Sequence, residues 1–128
     1  MEKIDVGIIS SCKNFRIALK TILSCASDGD VNSVWSEKDV DIVSGKSTTT
    51  FKKPKVVILD TDNSQIPVAD LLEFVRRSYK RVKLIVLLGK RRMDLNLVTK
   101  YQIDKILKRN CSENELLSAV RFCSDHSY

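Results

Sequence analysis

The chain has 128 residues, 43% of them hydrophobic and 30% charged, with a formal net charge of +6. A chain of this length buries about two thirds of its unfolded surface, so it folds as one domain without help from a metal or disulfide. No apolar stretch approaches the ~18 residues of a membrane span, and Met1-Glu2-Lys3-Ile4-Asp5 lacks a signal-peptide pattern.

The cysteines at 12, 25, 111 and 123 show no C-x-x-C spacing, and the only histidine is His126. That pattern excludes the usual zinc sites and predicts free thiols in a reducing cytoplasm, with Cys123 and Cys25 packed as small apolar groups. Basic residues cluster as Lys52-Lys53-Lys55 and as Arg76-Arg77, Lys80-Arg81, Lys83 and Lys90-Arg91-Arg92, and no acid interrupts 74 to 93. The default reading is a solvated basic face; the alternative is an anionic partner.

Along the chain, Ile4 to Ile9 reads as a first strand. Ser10 or Ser11 is expected to cap a helix whose apolar stripe is Phe15, Ala18, Leu19, Ile22 and Leu23. Ser27-Asp28-Gly29-Asp30 is a turn, and Val31 to Trp35 a weak second strand. Ser36, followed by Glu37 and Asp39, is expected to start a short helix carrying Val40 and Val43. Ser44 to Lys53 reads as loop.

Lys55 to Leu59 is a third strand and holds the most apolar run, Val56-Val57-Ile58-Leu59, which ends in Asp60. Such a run suits a strand buried on both faces of a parallel sheet, and it places a carboxylate at the strand's carboxyl end, where open α/β sheets hold their sites. Val68, Leu71, Leu72 and Val75 form the next helical stripe. Lys83 to Leu88 is a fourth strand, Lys90 to Lys100 a less regular fourth helix and Ile103 to Leu107 a fifth strand. Ser112-Glu113-Asn114-Glu115 is a capping box opening a last helix with Leu116, Ala119, Val120 and Cys123 on one face. Five β-α units with short connections predict an α/β domain with helices on both faces of a parallel sheet.

On these residues the chain resembles the receiver domain of response regulators over nearly its whole length, 1–128, and the resemblance implies an α/β, flavodoxin-like (βα)5 three-layer sandwich around a central five-stranded parallel sheet. Val56 to Asp60 resembles the strand ending in the phosphoacceptor aspartate. Leu84 to Gly89 resembles the fourth strand, and Ile106-Leu107-Lys108 with Ser112 to Leu117 the fifth strand and last helix. The first helix, Asn14 to Leu19, is most like that of LuxR-type transcription regulators. The resemblance implies a longer regulator that continues into a helix-turn-helix domain and reaches DNA through it.

The family's chemistry uses an acidic pair after the first strand, which helps hold Mg²⁺ beside the acceptor, a Ser or Thr ending the fourth strand, and a lysine ending the fifth. Here Ser10 and Ser11 stand at the acidic pair, Leu88 at the hydroxyl position and Lys105 at a common aromatic position. Asp60 and Lys108 remain. Neutral serines bind Mg²⁺ poorly, because hard cations need charged oxygens, so no metal or other cofactor is expected. Lys13, Lys90, Arg91, Lys108 and Arg109 are expected to ring the strand ends against Asp60 and Asp62, with Lys108 free to pair with Asp60. The clusters at 52–55 and 76–83 fall at the opposite end of the sheet, so the basic residues are not expected to form one site.

The expected function is therefore a degenerate receiver, not an enzyme, that works without phosphorylation as a dimerisation or protein-interaction module of a cytoplasmic transcription regulator. Leu95, Val98 and Tyr101 are the candidate dimer surface. Conventional phosphotransfer to Asp60, and direct binding of a nucleotide or other anion, are the alternatives.

Overall fold

The computed structural model describes residues 3–25, 28–45, 53–90 and 92–125. The polar stretch 46–52, read as loop, lies outside them, as do Arg91 and His126. Five parallel strands form one sheet: β1 Ile4–Ile9, β2 Val31–Glu37, β3 Val56–Asp60, β4 Lys83–Leu88 and β5 Lys105–Lys108, in the order β2-β1-β3-β4-β5. The helices are α1 Lys13–Cys25, α2 Asp39–Ser44, α3 Val68–Ser78, α4 Asn96–Lys100 and α5 Glu113–Asp125.

The expected layering follows from the burial pattern. Every residue of β3 is buried, as a central strand covered on both faces requires. On one face Val6, Ile8, Val56 and Ile58 pack under Leu19 and Leu23 of α1 and Leu116, Leu117 and Val120 of α5. On the other, Ile9, Val57, Leu59 and Val86 pack under Ile42, Leu71, Leu72 and Val75 from α2 and α3. Trp35 belongs to this second core. It packs beside Gly7, where an added Cβ would fall 2.4 Å from the indole ring. The strand pairing between β1 and β2 shifts register there.

Several boundaries differ from the sequence reading. β2 runs on through Ser36 to Glu37, so Ser36 caps nothing, and Lys38 precedes α2 without a side-chain cap. Asp39 instead turns its carboxylate inward, accepting from Gln65 N at 2.8 Å, Ser64 Oγ at 3.0 Å and Ile66 N at 3.3 Å. It thereby fixes the loop after β3. The fourth helix is only Asn96–Lys100; Asp94 accepts from the Asn96 amide at 3.0 Å and starts it late. β5 begins two residues later than read, at Lys105, with Ile103 buried ahead of it. Cys123 is buried as expected, but Cys25 is exposed at the end of α1. The capping box holds: Ser112 Oγ accepts from Glu115 N at 3.1 Å, and Glu115 returns a longer contact to Ser112 N.

Candidate functional site

β1 lies between β2 and β3, so the chain leaves the sheet in opposite directions around the carboxyl ends of β1 and β3. In open α/β sheets that crevice holds the site. β3 delivers Asp60 to it and the end of β1 delivers Ser10, both buried, with Asp60 1% exposed. Neither serine after β1 sits at the start of α1, which begins at Lys13. Ser10 Oγ instead donates to Asp60 Oδ2 at 2.7 Å and accepts from the Cys12 amide at 3.2 Å. Ser11 Oγ donates to the carbonyls of Asn63 at 2.9 Å and Asp62 at 3.2 Å.

The other carboxylate oxygen of Asp60 is also engaged. Oδ1 accepts from the Asp62 amide at 3.1 Å and from Arg109 Nε at 3.1 Å. Arg109 is therefore the cation on Asp60. This corrects the expectation for Lys108, which ends β5 with its side chain exposed and makes no ion pair with Asp60. Strand geometry explains the exchange. Lys108 pairs with Leu88 in the β4–β5 ladder, and its side chain turns to solvent. Arg109 has left the strand, its amide donating to the Leu88 carbonyl at 2.8 Å, and its side chain folds back over the crevice.

Two more contacts fix the guanidinium. It lies 3.9 Å from the Phe15 ring centroid, a cation–π stack with α1, and its Nε is 3.8 Å from Asp62 Oδ2. Asp62 can approach because Gly89 follows β4: a Cβ there would sit 2.6 Å from the Asp62 carboxyl carbon. Burial opposes the charge on Arg109, but the hydrogen bond to Asp60 and the fields of Asp60 and Asp62 outweigh it and hold its pKa above the ordinary value. Asp62, Gly89, Lys90, Lys108 and Asn110 line an open cavity of about 470 Å³ outside this pair, with Leu88 presenting only carbon to it. Of the expected basic ring, Arg109 binds the carboxylates, Lys90 and Lys108 stand at the rim and Lys13 is exposed at the start of α1.

The remaining candidates lie elsewhere. Lys105 is exposed on β5, 5.8 Å from the Phe122 ring centroid. Leu95 is 73% exposed, whereas Val98 and Tyr101 are half-buried against the Trp35 core, so the predicted apolar patch shrinks to Leu95. Sequence reasoning did not single out Asp39 or Phe15, and it placed Arg109 only among ring cations. An arginine one residue past the strand-end lysine, with an aromatic on the first helix to stack on, was the available signal.

No protein-family model matches the sequence, and no curated protein matches it. Solved structures do. ChrA, the response regulator of a heme-sensing two-component system, superposes with a TM-score of 0.72 at 18% identity, over 98% of this chain and 58% of ChrA. The chain thus spans little more than half the length of that protein. A response regulator receiver domain protein from Clostridium thermocellum gives a TM-score of 0.72 at 16% identity, over 95% of this chain and 94% of its own. A LuxR-family DNA-binding response regulator from Staphylococcus aureus gives 0.69 at 17%, over 94% and 98%. With its strand order and its aspartate at the end of β3, the chain has the flavodoxin-like receiver fold of response regulators.

Proposed function

We propose that this domain is a receiver held in one state by its own arginine, acting as a phosphorylation-independent interaction module of a transcription regulator. The observation that carries the reading is the Arg109 guanidinium on Asp60, 3.1 Å away, with Ser10 on the other oxygen. A receiver needs a divalent cation beside the acceptor, to neutralise charge as a phosphoryl group arrives. The donor set here does not suit Mg²⁺. Both oxygens of Asp60 already accept hydrogen bonds, the Asp62 carbonyl accepts from Ser11, and a fixed positive charge stands between the two carboxylates. Among the described residues no cluster of three or more acids, cysteines or histidines could hold a metal ion. Leu88 offers no hydroxyl for a phosphoryl oxygen.

The partner we favour is a second copy of the chain, with Leu95 as the exposed apolar contact, and DNA reached through a further domain, as the LuxR-family likeness suggests. Incubation with acetyl phosphate and Mg²⁺, read by intact mass, tests the reading. Unmodified protein with unchanged sedimentation is the expected result. An added phosphoryl group that disappears in Asp60→Asn would overturn it.

A further inference from the structure

The two basic clusters at the amino-terminal end of the sheet converge on one cavity. Val56 of β3 pairs with Lys83 of β4, and the Lys83 amide donates to the Lys55 carbonyl at 2.9 Å. The segment entering β3 therefore lies beside the segment joining α3 to β4, although they are far apart in sequence. Between them lies a cavity of about 550 Å³ bordered by Lys53, Lys55, Arg77, Lys80, Arg81 and Lys83. Among the described residues no carboxylate lines it. Lys83 is matched by Asp104 at 3.7 Å and Arg77 by Glu73 at 3.2 Å, but among the described residues Lys53, Lys55, Lys80 and Arg81 have no ion pair.

The floor is apolar. Pro54 and Val82 are buried, and the half-buried Tyr79 ring stacks on Trp35 with centroids 6.0 Å apart, which holds it in place. Volumes of about 300–1,000 Å³ with an apolar floor and a few converging charges are those of small-molecule sites. Four unmatched cations call for several negative charges on a compact ligand, which phosphates supply through charge-assisted hydrogen bonds. One aromatic serves one base; a nucleic acid strand needs a groove with successive stacking platforms.

We infer that this cavity binds a nucleotide carrying two or more phosphates, at the end of the sheet opposite Asp60. The phosphates meet the Lys53, Lys80 and Arg81 rim, and the base meets Tyr79 and Pro54. The site is separate from the Arg109 crevice and does not depend on how that crevice works.

The test is calorimetric titration of the chain with ATP, GTP and inorganic pyrophosphate at about 0.1 M salt, with NMR mapping of the site. One nucleotide per chain should bind, moving the amides of Tyr79, Val82 and Lys83 and leaving that of Asp60 in place. Pyrophosphate should bind about tenfold more weakly, because stacking of the base is lost. The Lys53→Glu, Arg81→Glu double variant should weaken nucleotide binding about 100-fold or more. Lys13→Glu with Lys108→Glu makes the same charge change at the carboxyl end of the sheet and should alter it less than about threefold, since exposed charges beyond a Debye length of about 10 Å are screened. The inference is overturned if neither nucleotide binds, if pyrophosphate binds as tightly as both, if the distant variant loses as much affinity, or if only a DNA duplex binds. Amide mapping on the unmodified chain decides the matter even where the double variant fails to fold.

Discussion

Replacing Arg109 by alanine removes, among the described residues, the cation paired with the buried Asp60 carboxylate. Breaking a buried ion pair by deleting one partner costs about 3–5 kcal/mol. Here the Asp60 side chain is 0% exposed but that of Arg109 is 26% exposed, so solvent already screens part of the attraction. Ser10 Oγ and the Asp62 amide continue to support the carboxylate after the change. These features bring the electrostatic loss to about 2 kcal/mol, and the lost stack on Phe15 adds about 0.5–1 kcal/mol. The sum lowers the melting temperature by about 10 °C for a chain of this size. Urea unfolding of Arg109→Ala, Asp60→Asn and the double variant isolates the pair. The expected coupling is about 1–2 kcal/mol, with the double variant less damaged than the sum of the two single changes. Lys108→Ala should stay within about 0.5 kcal/mol of the parent. Additivity within about 0.5 kcal/mol, or a Lys108 effect as large as that of Arg109, would refute the assignment of the cation.

Other consequences follow from the packing. Gly7→Ala would drive a methyl group into the indole of buried Trp35 and should cost about 2–3 kcal/mol by urea unfolding; a neutral result would mean the ring moves freely. Arg76 donates to the carbonyls of Tyr101 at 2.7 Å, Val82 at 2.6 Å and Gln102 at 2.7 Å, tying the end of α3 to the turns before β4 and β5. Arg76→Ala should cost about 2–4 kcal/mol and accelerate amide exchange at Ile103 and Asp104 first. The hydrogen bond from Arg121 holds the Asp30 carboxyl below its ordinary pKa, with burial opposing and the arginine's charge assisting. A carboxyl depressed in the folded state contributes above its unfolded pKa of about 3.9, and that contribution is lost as pH falls through the lower folded value. Melting temperature measured from about pH 6 to pH 3 should therefore fall less steeply at the acid end in Arg121→Ala, by a small amount because the pair is partly exposed.

What the sequence made legible was the part written in periodicity. The continuous run from Val56 to Leu59 located the central strand and hence Asp60, and the helical stripes located α1, α3 and α5 on their correct faces. What it hid depends on a single step of the chain. Lys108 and Arg109 are adjacent cations, and only the end of β5 decides which one folds over the crevice. Likewise Asp39 has the appearance of an ordinary first-turn acid, yet its burial makes it the anchor of the loop after β3. The fourth helix is shorter than its sequence suggested, as its irregular apolar spacing reflects: Leu97 and Val98 reach the core from the helix and Met93 and Tyr101 from its flanks, leaving Leu95 outside. The convergence of residues 53–55 with 77–83 is a matter of strand register, which no local pattern encodes.

In the proposed reading, Arg109 occupies the place where a receiver would need a metal ion. Titration of the chain with Mg²⁺ to millimolar concentration, alone and with beryllofluoride as a phosphoryl mimic, followed by amide NMR, tests it most directly. With Arg109 in that place, no saturable shift is expected at Ser10, Asp60, Asp62 or Arg109, and no accompanying change in α4. Saturable shifts at those amides, strengthened by beryllofluoride and relayed to Asn96–Lys100, would contradict it and make the domain a working phosphorylation switch.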